Sequence, residues 1–454
     1  MKKIICLLSA AALLSSCGIY TKYKPAKDVP EGLFGQEVNA TDSANNLANL
    51  SWRQVFTDPQ LQSLIEKGLQ NNTNLLTAQQ RVKESEATLL SSKLAYLPSF
   101  SLTPQGTVSS FDKAKATQTY TLPVTASWEV DIFGRIRNGK RQAKALLEQS
   151  KDYEQAVKTQ LIANIANTYY TLLMLDEQIR IAESTEQVWK ESVESTQALM
   201  DAGMATEAAV AQTEATYYSI RTTVLDLHDQ LKQTENALCN VLAEVPHTIE
   251  RSTLEAQVLP ESFSVGLPLQ LLANRPDVRN AERGLESAFY GVNKARSSYY
   301  PSIVLSGSAG WSNSSGAGIV NPGKLLASAV GSLTQPLFNK GQITSQYRIA
   351  KAQQEEARLN FQQTVLNAGV EVNNALTSYQ TAKEKSEQYE KQIESLGRAV
   401  ESTSLLMEHG NTTYLEVLTA RQTLLNAQLT QVSNRFTEMQ SVVTIYQALG
   451  GGQE

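Results

Sequence analysis

The chain has 454 residues, 41% of them hydrophobic and 19% charged, and a formal net charge of −5. That length is too great for one small domain, and the mild acidity offers no basic surface for nucleic acid. With three cysteines and three histidines there is little material for a disulfide framework or a metal cluster.

The N-terminus reads as an export signal. Lys2 and Lys3 precede an apolar run, Ile4–Leu14, that is too short to span a membrane, and Leu14-Ser15-Ser16-Cys17 supplies small residues before a cleavage point. This ending resembles the lipobox of bacterial lipoproteins, which implies that residues 1–16 are removed and that Cys17 becomes the acylated N-terminus. Several acyl chains on one residue satisfy the rule that stable anchoring needs more than one. Residues 17–50, rich in Lys, Pro, Asn and Gly, then read as an extended, lipidated tether. Cys6 leaves with the signal and Cys17 is consumed, so Cys239 is left alone as an inert small apolar residue, and stability must come from packing.

A first structural repeat is expected over 51–245. Asp58 and Pro59 have the character of an N-cap and a first helical residue, and Thr73–Ala95 carries no helix breaker. Between about 98 and 131 the apolar period changes to two. Phe100, Leu102, Pro104 and Val108 alternate with Ser and Thr, as do Tyr120, Leu122, Val124, Ala126, Trp128 and Val130. Each run is long enough for a membrane strand, and the polar residues 112–117 join the two as a hairpin. Tyr120 and Trp128 then fall at opposite lipid–water interfaces. From Arg135 to Val245 there is no proline. Gly203 and Thr206 divide this stretch into a helix of ~100 Å and a shorter one of ~55 Å. Tyr217, Ile220, Val224, Leu227, Leu231, Thr234, Leu238 and Val241 space a coiled-coil seam.

After an irregular linker, 246–266, the pattern recurs over 267–450, before a tail at 451–454. Pro301 echoes Pro98, a second pair of strands is expected within about 301–338, and Gly341–His409 is a second long proline-free helix. Gly410 stands 207 positions after Gly203, and the final helix carries a seam from Leu415 to Tyr446. Such self-similarity points to a duplicated helix–hairpin–helix unit. The fold class is therefore mainly α with a transmembrane β-barrel sector, four strands per chain. Four strands cannot close a barrel, and lipid tolerates no open edge, so copies of the chain must assemble.

Several strings carry a likeness to a known family: Trp52 to Leu61, Trp128-Glu129-Val130-Asp131-Ile132-Phe133-Gly134, Leu271-Leu272-Ala273-Asn274-Arg275-Pro276-Asp277-Val278-Arg279, Gln335-Pro336-Leu337-Phe338 and Tyr414-Leu415-Glu416-Val417-Leu418-Thr419-Ala420. The chain resembles the TolC-like outer-membrane efflux proteins, in their lipoprotein branch that serves resistance–nodulation–division pumps. The resemblance implies a homotrimer in outer-membrane lipid, with a twelve-stranded barrel continued by an α-helical coiled-coil tunnel in the periplasm. It also implies two partners, a periplasmic adaptor and an inner-membrane pump. The turns at Gly203, Met204, Gly410 and Asn411 become adaptor-docking tips. Leu415, Glu416 and Thr419 become gate candidates, although Thr419 departs from the family's common second acid. Arg275-Pro276-Asp277-Val278-Arg279 reads as a structural helix start, with Pro276 in the first turn and Asp277 at its positive end.

Catalysis has no foothold: His228, His247 and His409 are isolated, and neither a phosphate loop nor a nucleophile elbow is present. No enzyme activity, cofactor or metal is expected. The function expected is a passive exit duct for small toxic compounds. Within that class the alternative cargo is a secreted polypeptide, as in a type I exit duct; outside it the alternative is a structural envelope coiled coil, which would not need two membrane-length hairpins. Cys17→Ala should abolish lipidation and slow processing, and mass spectrometry of the 438-residue mature chain should find acyl chains on Cys17 and nowhere else.

Overall fold

A computed structural model describes residues 20, 22–25, 51–258, 274–312, 324–409, 412 and 414–451. The expected signal, Cys17, most of the tether, Gly410 and Asn411 lie outside the described residues. The chain order is α1 (Trp52–Val55), α2 (Pro59–Asn71), α3 (Thr73–Leu94), β1 (Ser99–Leu102), β2 (Gln105–Ser109), β3 (Thr117–Val130), α4 (Arg135–Asp201) and α5 (Glu207–Val241). It continues with α6 (Pro276–Ser297), β4 (Ser302–Ser312), β5 (Lys324–Thr334), α7 (Gln342–Glu408) and α8 (Tyr414–Ala448). Among the described residues, no helix is long and apolar enough to cross a membrane.

The two long helices, α4 and α7, have 67 residues each, and α5 and α8 have 35 each. Their ends obey local chemistry. Asp58 caps α2 by accepting from the Gln60 amide, with Pro59 in the first turn, and the Thr206 hydroxyl accepts from the Ala209 amide to cap α5. Gly203, with φ +74°, ends the long helix. The Met204 amide bonds the Leu199 carbonyl at 2.8 Å and the Gly203 amide bonds that of Met200 at 2.9 Å, the paired bonds of a Schellman cap.

The chain divides into two compact units. One comprises Met1–Asp28, Gln80–Lys151 and Asn280–Gln363, the other Val29–Gln79, Asp152–Arg279 and Thr364–Glu454, so each draws on both halves of the sequence. The first contains the sheet. The first strand differs from expectation: it is two segments, because Pro104 has no amide for the ladder and Thr103 alone bridges, to the Pro123 carbonyl at 3.2 Å. The register nevertheless runs through unshifted, with Leu102 opposite Val124 and Gly106 opposite Tyr120. β5 stops at Thr334, short of 338, where Pro336 follows. Two described residues of the tether make contacts. Tyr20 donates to the Phe133 carbonyl at 2.8 Å, and the Tyr23 ring meets Phe289 edge-on at 5.6 Å. Burial pushes the Tyr20 phenol up to about 12, so it remains a donor at neutral pH. Two aromatic residues in a polar stretch gave little periodic signal.

The second unit holds the main core. The α5 seam is buried at Ile220, Val224, Leu227 and Leu238, and the last turns of α8 are enclosed, with Val443, Ile445, Tyr446 and Leu449 at 0% exposure. Trp52 and Phe56 are also buried, Phe56 against Tyr446 at 5.5 Å. Leu415, counted into the α8 seam from spacing, is instead 59% exposed.

Polar joints stitch this core. Arg275, 6% exposed, pairs with Asp277 at 2.7 Å and Glu371 at 2.6 Å and donates to the Ala448 carbonyl. Arg279 pairs with Asp152 at 2.9 Å. The Arg-Pro-Asp-Val-Arg string therefore starts α6 and ties it to its surroundings, as its helix-start chemistry implies. Asp58 is a second joint: its carboxylate accepts from Ser252 at 2.5 Å, Tyr169 at 2.7 Å and Gln257 at 2.8 Å. Burial raises its pKa, but those three side chains and the Gln60 amide outweigh burial and hold it below the ordinary value. A depressed carboxylate contributes its full stability above its unfolded pKa and loses it as pH falls through the folded one. Asp58→Ala should cost about 2 kcal/mol. In circular-dichroism melts the gap from wild type should be full above about pH 4 and close below it.

Candidate functional site

The site begins with the two faces of the sheet. β3 lies between β1/β2 and β4, and β4 between β3 and β5, all antiparallel. Because side chains alternate, the register sorts them strictly. On one face, Leu102, Val124 and Ala309 line up across the strands, as do Leu122, Trp311 and Leu325, and Trp128, Leu305 and Gly331. Most of the large ones are exposed: Phe100 71%, Leu102 59%, Val108 69%, Leu325 70% and Leu333 67%. The opposite face carries a hydroxyl row, Ser101–Thr125–Ser308–Ser328. Ser101 and Thr125 are 2.6 Å apart, Ser308 and Ser328 2.7 Å. An apolar face open to the surroundings, backed by a hydroxyl face, has the pattern of a lipid-facing wall with a polar interior. Pro123, Val304, Leu326 and Val330 are the exceptions on the hydroxyl face.

The string Trp128–Gly134 turns the strand β3 into the helix α4, and each polar residue has a task there. The Trp128 indole donates to the Tyr96 carbonyl at 2.8 Å, holding the entry and exit of the first hairpin together. Glu129 pairs with Arg135, Oε1 to Nε at 2.7 Å. Asp131 accepts from the Ile136 amide at 2.9 Å and the Arg137 amide at 2.7 Å, placing its charge at the positive end of α4. Phe133 stacks on Tyr300 at 5.0 Å, fastening the end of β3 to the start of β4. Gly134 takes φ +72°, and a Cβ there would press on the Tyr20 ring and Asn138.

The residues marked out as functional candidates fall as follows. Met204, beside the Gly203 turn, is 72% exposed. Gly410, Asn411 and Cys17 lie outside the described residues. Leu415, Glu416 and Thr419 are all exposed on the first turns of α8. The Thr412 hydroxyl donates to the Glu416 carboxylate, and the Thr419 hydroxyl donates back to the Leu415 carbonyl at 2.8 Å. One link was not legible from spacing: Arg421 of α8 donates to Ser192 of α4 at 2.9 Å, across 229 positions. The histidines are less isolated than expected. His247 Nδ1 sits 3.5 Å from Cys239 Sγ, because the turn after α5, with Ala243 at φ +58°, folds it back, and His228 meets Glu183 at 3.0 Å. Among the described residues, no group of three or more His, Cys, Asp or Glu is arranged to hold a metal.

Comparison with known proteins agrees with this geometry. The chain is 27% identical over 450 residues to the cation efflux system protein CusC of Escherichia coli O6:H1 (strain CFT073), covering 97% of each chain. It is 25% identical over 452 residues to the probable outer membrane lipoprotein SilC of Salmonella typhimurium, covering 98% of each. The structure of the outer-membrane channel OprN superposes with a TM-score of 0.87 at 26% identity, over 96% of this chain and 99% of that one. The family model for the outer membrane efflux protein matches twice, over residues 64–244 and 267–451. The chain belongs to the outer membrane efflux protein family and is a protein of the outer membrane.

Proposed function

We propose that this chain is the exit duct of a tripartite efflux pump, conducting small toxic compounds from a pump and a periplasmic adaptor through the outer membrane. One observation carries the reading. The sheet has an exposed apolar face, a hydroxyl face and two outer edges, β1/β2 and β5, with no strand beside them among the described residues. In hydrocarbon those edges have no water to bond, so the strands of neighbouring copies must close them. Three copies, each contributing a tandem helix–hairpin–helix repeat, give a twelve-stranded barrel with room for a pore. The chain supplies no energy and catalyses nothing; it is a passive wall, anchored through acyl chains on Cys17. The helices continue the barrel as a periplasmic tunnel, whose tips at Gly203, Met204, Gly410 and Asn411 meet the adaptor.

Leu415, Glu416 and Thr419 form the constriction. Three Glu416 carboxylates around a narrow axis select cations, and three Leu415 side chains, exposed within one copy, close an apolar ring. Three measurements test the reading. Cross-linking of the purified protein should stop at three copies. In planar bilayers Glu416→Gln should lower cation selectivity, and Leu415→Ala combined with Thr419→Ala should enlarge the resting conductance. Unchanged conductance and selectivity with trimers intact would move the constriction elsewhere. A cysteine introduced as Met204→Cys should cross-link to an adaptor in cells, whereas cross-links confined to positions near the sheet would refute the docking tip.

A further inference from the structure

The strands meet the helices at one end of the sheet: Ser99 lies opposite Ser127, Val130 opposite Ile303 and Ser302 opposite Thr334. The four segments flanking the strands there, 90–98, 129–145, 288–301 and 335–351, carry eleven Lys and Arg residues against two acids, Glu129 and Asp131. In a chain of net charge −5, this is a strong local reversal of sign. Both acids are already engaged, Glu129 with Arg135 and Asp131 with the α4 backbone.

The cations are set among aromatic rings. Lys140 Nζ lies 5.7 Å from the centre of the Tyr96 ring, and the Tyr96 carbonyl is the group that receives the indole of Trp128 from the apolar face. In the other half, Lys351 Nζ lies 5.3 Å from the Tyr347 ring, which meets Tyr299 edge-on at 5.8 Å. Two of the basic positions recur in the sequence: Arg141 and Lys144 reappear as Arg348 and Lys351, each 207 positions later. Beside these charges stand apolar side chains that water does not favour: Leu97 61% exposed, Ile132 56%, Leu337 94% and Phe338 86%. A merely solvated charged face does not need exposed Leu and Phe next to its lysines. An interfacial belt does, because its rings and alkyl stems lie at the hydrocarbon edge while the ammonium and guanidinium groups reach the headgroups.

We propose that this cation–tyrosine collar binds the headgroups of anionic phospholipids in the leaflet from which the helices emerge. The proposal rests on reading the sheet as the membrane sector. The occupant follows from charge complementarity and from continuity with the apolar face, since a phosphodiester attached to acyl chains meets both at once. A basic residue close to a charged membrane surface each adds to the attraction, and the attraction is screened by salt. The collar thereby fixes the depth at which the barrel sits.

The test uses the full-length protein and vesicles of phosphatidylethanolamine, with and without phosphatidylglycerol. Protease protection of the strands reports insertion, and native mass spectrometry reports the lipids retained. Wild type should insert and keep phosphatidylglycerol over phosphatidylethanolamine by about tenfold at low salt, a preference that high salt erases. A variant combining Lys140→Gln, Lys144→Gln, Arg348→Gln and Lys351→Gln should insert but lose that preference. Neutralising Lys383, Lys385 and Lys391, far along α7, should leave it intact. Equal retention of both lipids by an inserted wild type overturns the collar, as does a preference that survives high salt. Failure of wild type to insert into either vesicle overturns the reading of the sheet instead. If the fourfold variant does not fold, the salt dependence of wild type decides. Binding to isolated peptidoglycan that falls in the variant, with lipid retention unchanged, would assign the collar to the cell wall and overturn the lipid proposal.

Discussion

A backbone amide or carbonyl in hydrocarbon must find its partner within protein. In this chain five strand segments form one antiparallel sheet, the sector proposed to lie in the membrane. β3 and β4 are paired on both sides, but the outer edges of β1/β2 and β5 have no strand beside them among the described residues. The register completes the demand by placing aliphatic and aromatic side chains on one face and a row of linked hydroxyls on the other. A soluble sheet would bury the apolar face against helices; here Phe100, Val108 and Leu325 remain about 70% exposed. The proposed assembly of copies rests on this hydrogen-bonding constraint rather than on any single contact.

Joining such a sheet to long helices poses a second problem, since each helix begins with unsatisfied amides and a positive end. The turn from β3 to α4 meets it with one carboxylate: Asp131 accepts from two of those amides. Glu129, one pleat earlier, holds Arg135, and Phe133 binds the second hairpin through Tyr300. The same turn seats the Tyr20 ring over Gly134, so the segment following the lipid-anchor candidate is tied to the point where strand becomes helix. This gives a mechanical meaning to a string that would otherwise be only a family signature.

In the second unit, charge does a different job. Arg275 and Arg251 are nearly enclosed and each is held by two carboxylates, Arg251 by Asp176 at 2.5 Å and Glu235 at 2.8 Å. A buried ion pair adds little net stability over a well-packed apolar pair, but losing one partner strands a charge, so such joints enforce one arrangement of the helices. Their partners lie far apart in sequence. Arg275 reaches Ala448, and Asp58 gathers Tyr169, Ser252 and Gln257. The three neutral donors on Asp58 hold it charged without a buried cation.

Local periodicity determined much of this protein. Proline-free runs became α4 and α7, Gly203 became the Schellman cap of α4 and Thr206 the N-cap of α5, and alternation between Leu and Ser became the two faces of the sheet. Each is a property of neighbouring residues, set by backbone sterics and by the repeat of helix or strand. Periodicity failed where a residue answers to a distant partner. It counted Leu415 into the α8 seam although that side chain is 59% exposed, it gave no sign that Tyr20 and Tyr23 of the tether make contacts, and it separated Cys239 from His247 although a turn brings them together. Pro104 interrupts a ladder without shifting its register, which only the pairing of β1 and β2 with β3 reveals. The gate candidates came from family likeness, and the exposure of Leu415 and of Met204 at the first turn is visible only in the fold. Contacts such as Arg421 with Ser192 or Arg275 with Glu371 depend on which helix faces lie side by side, and tertiary packing alone decides that.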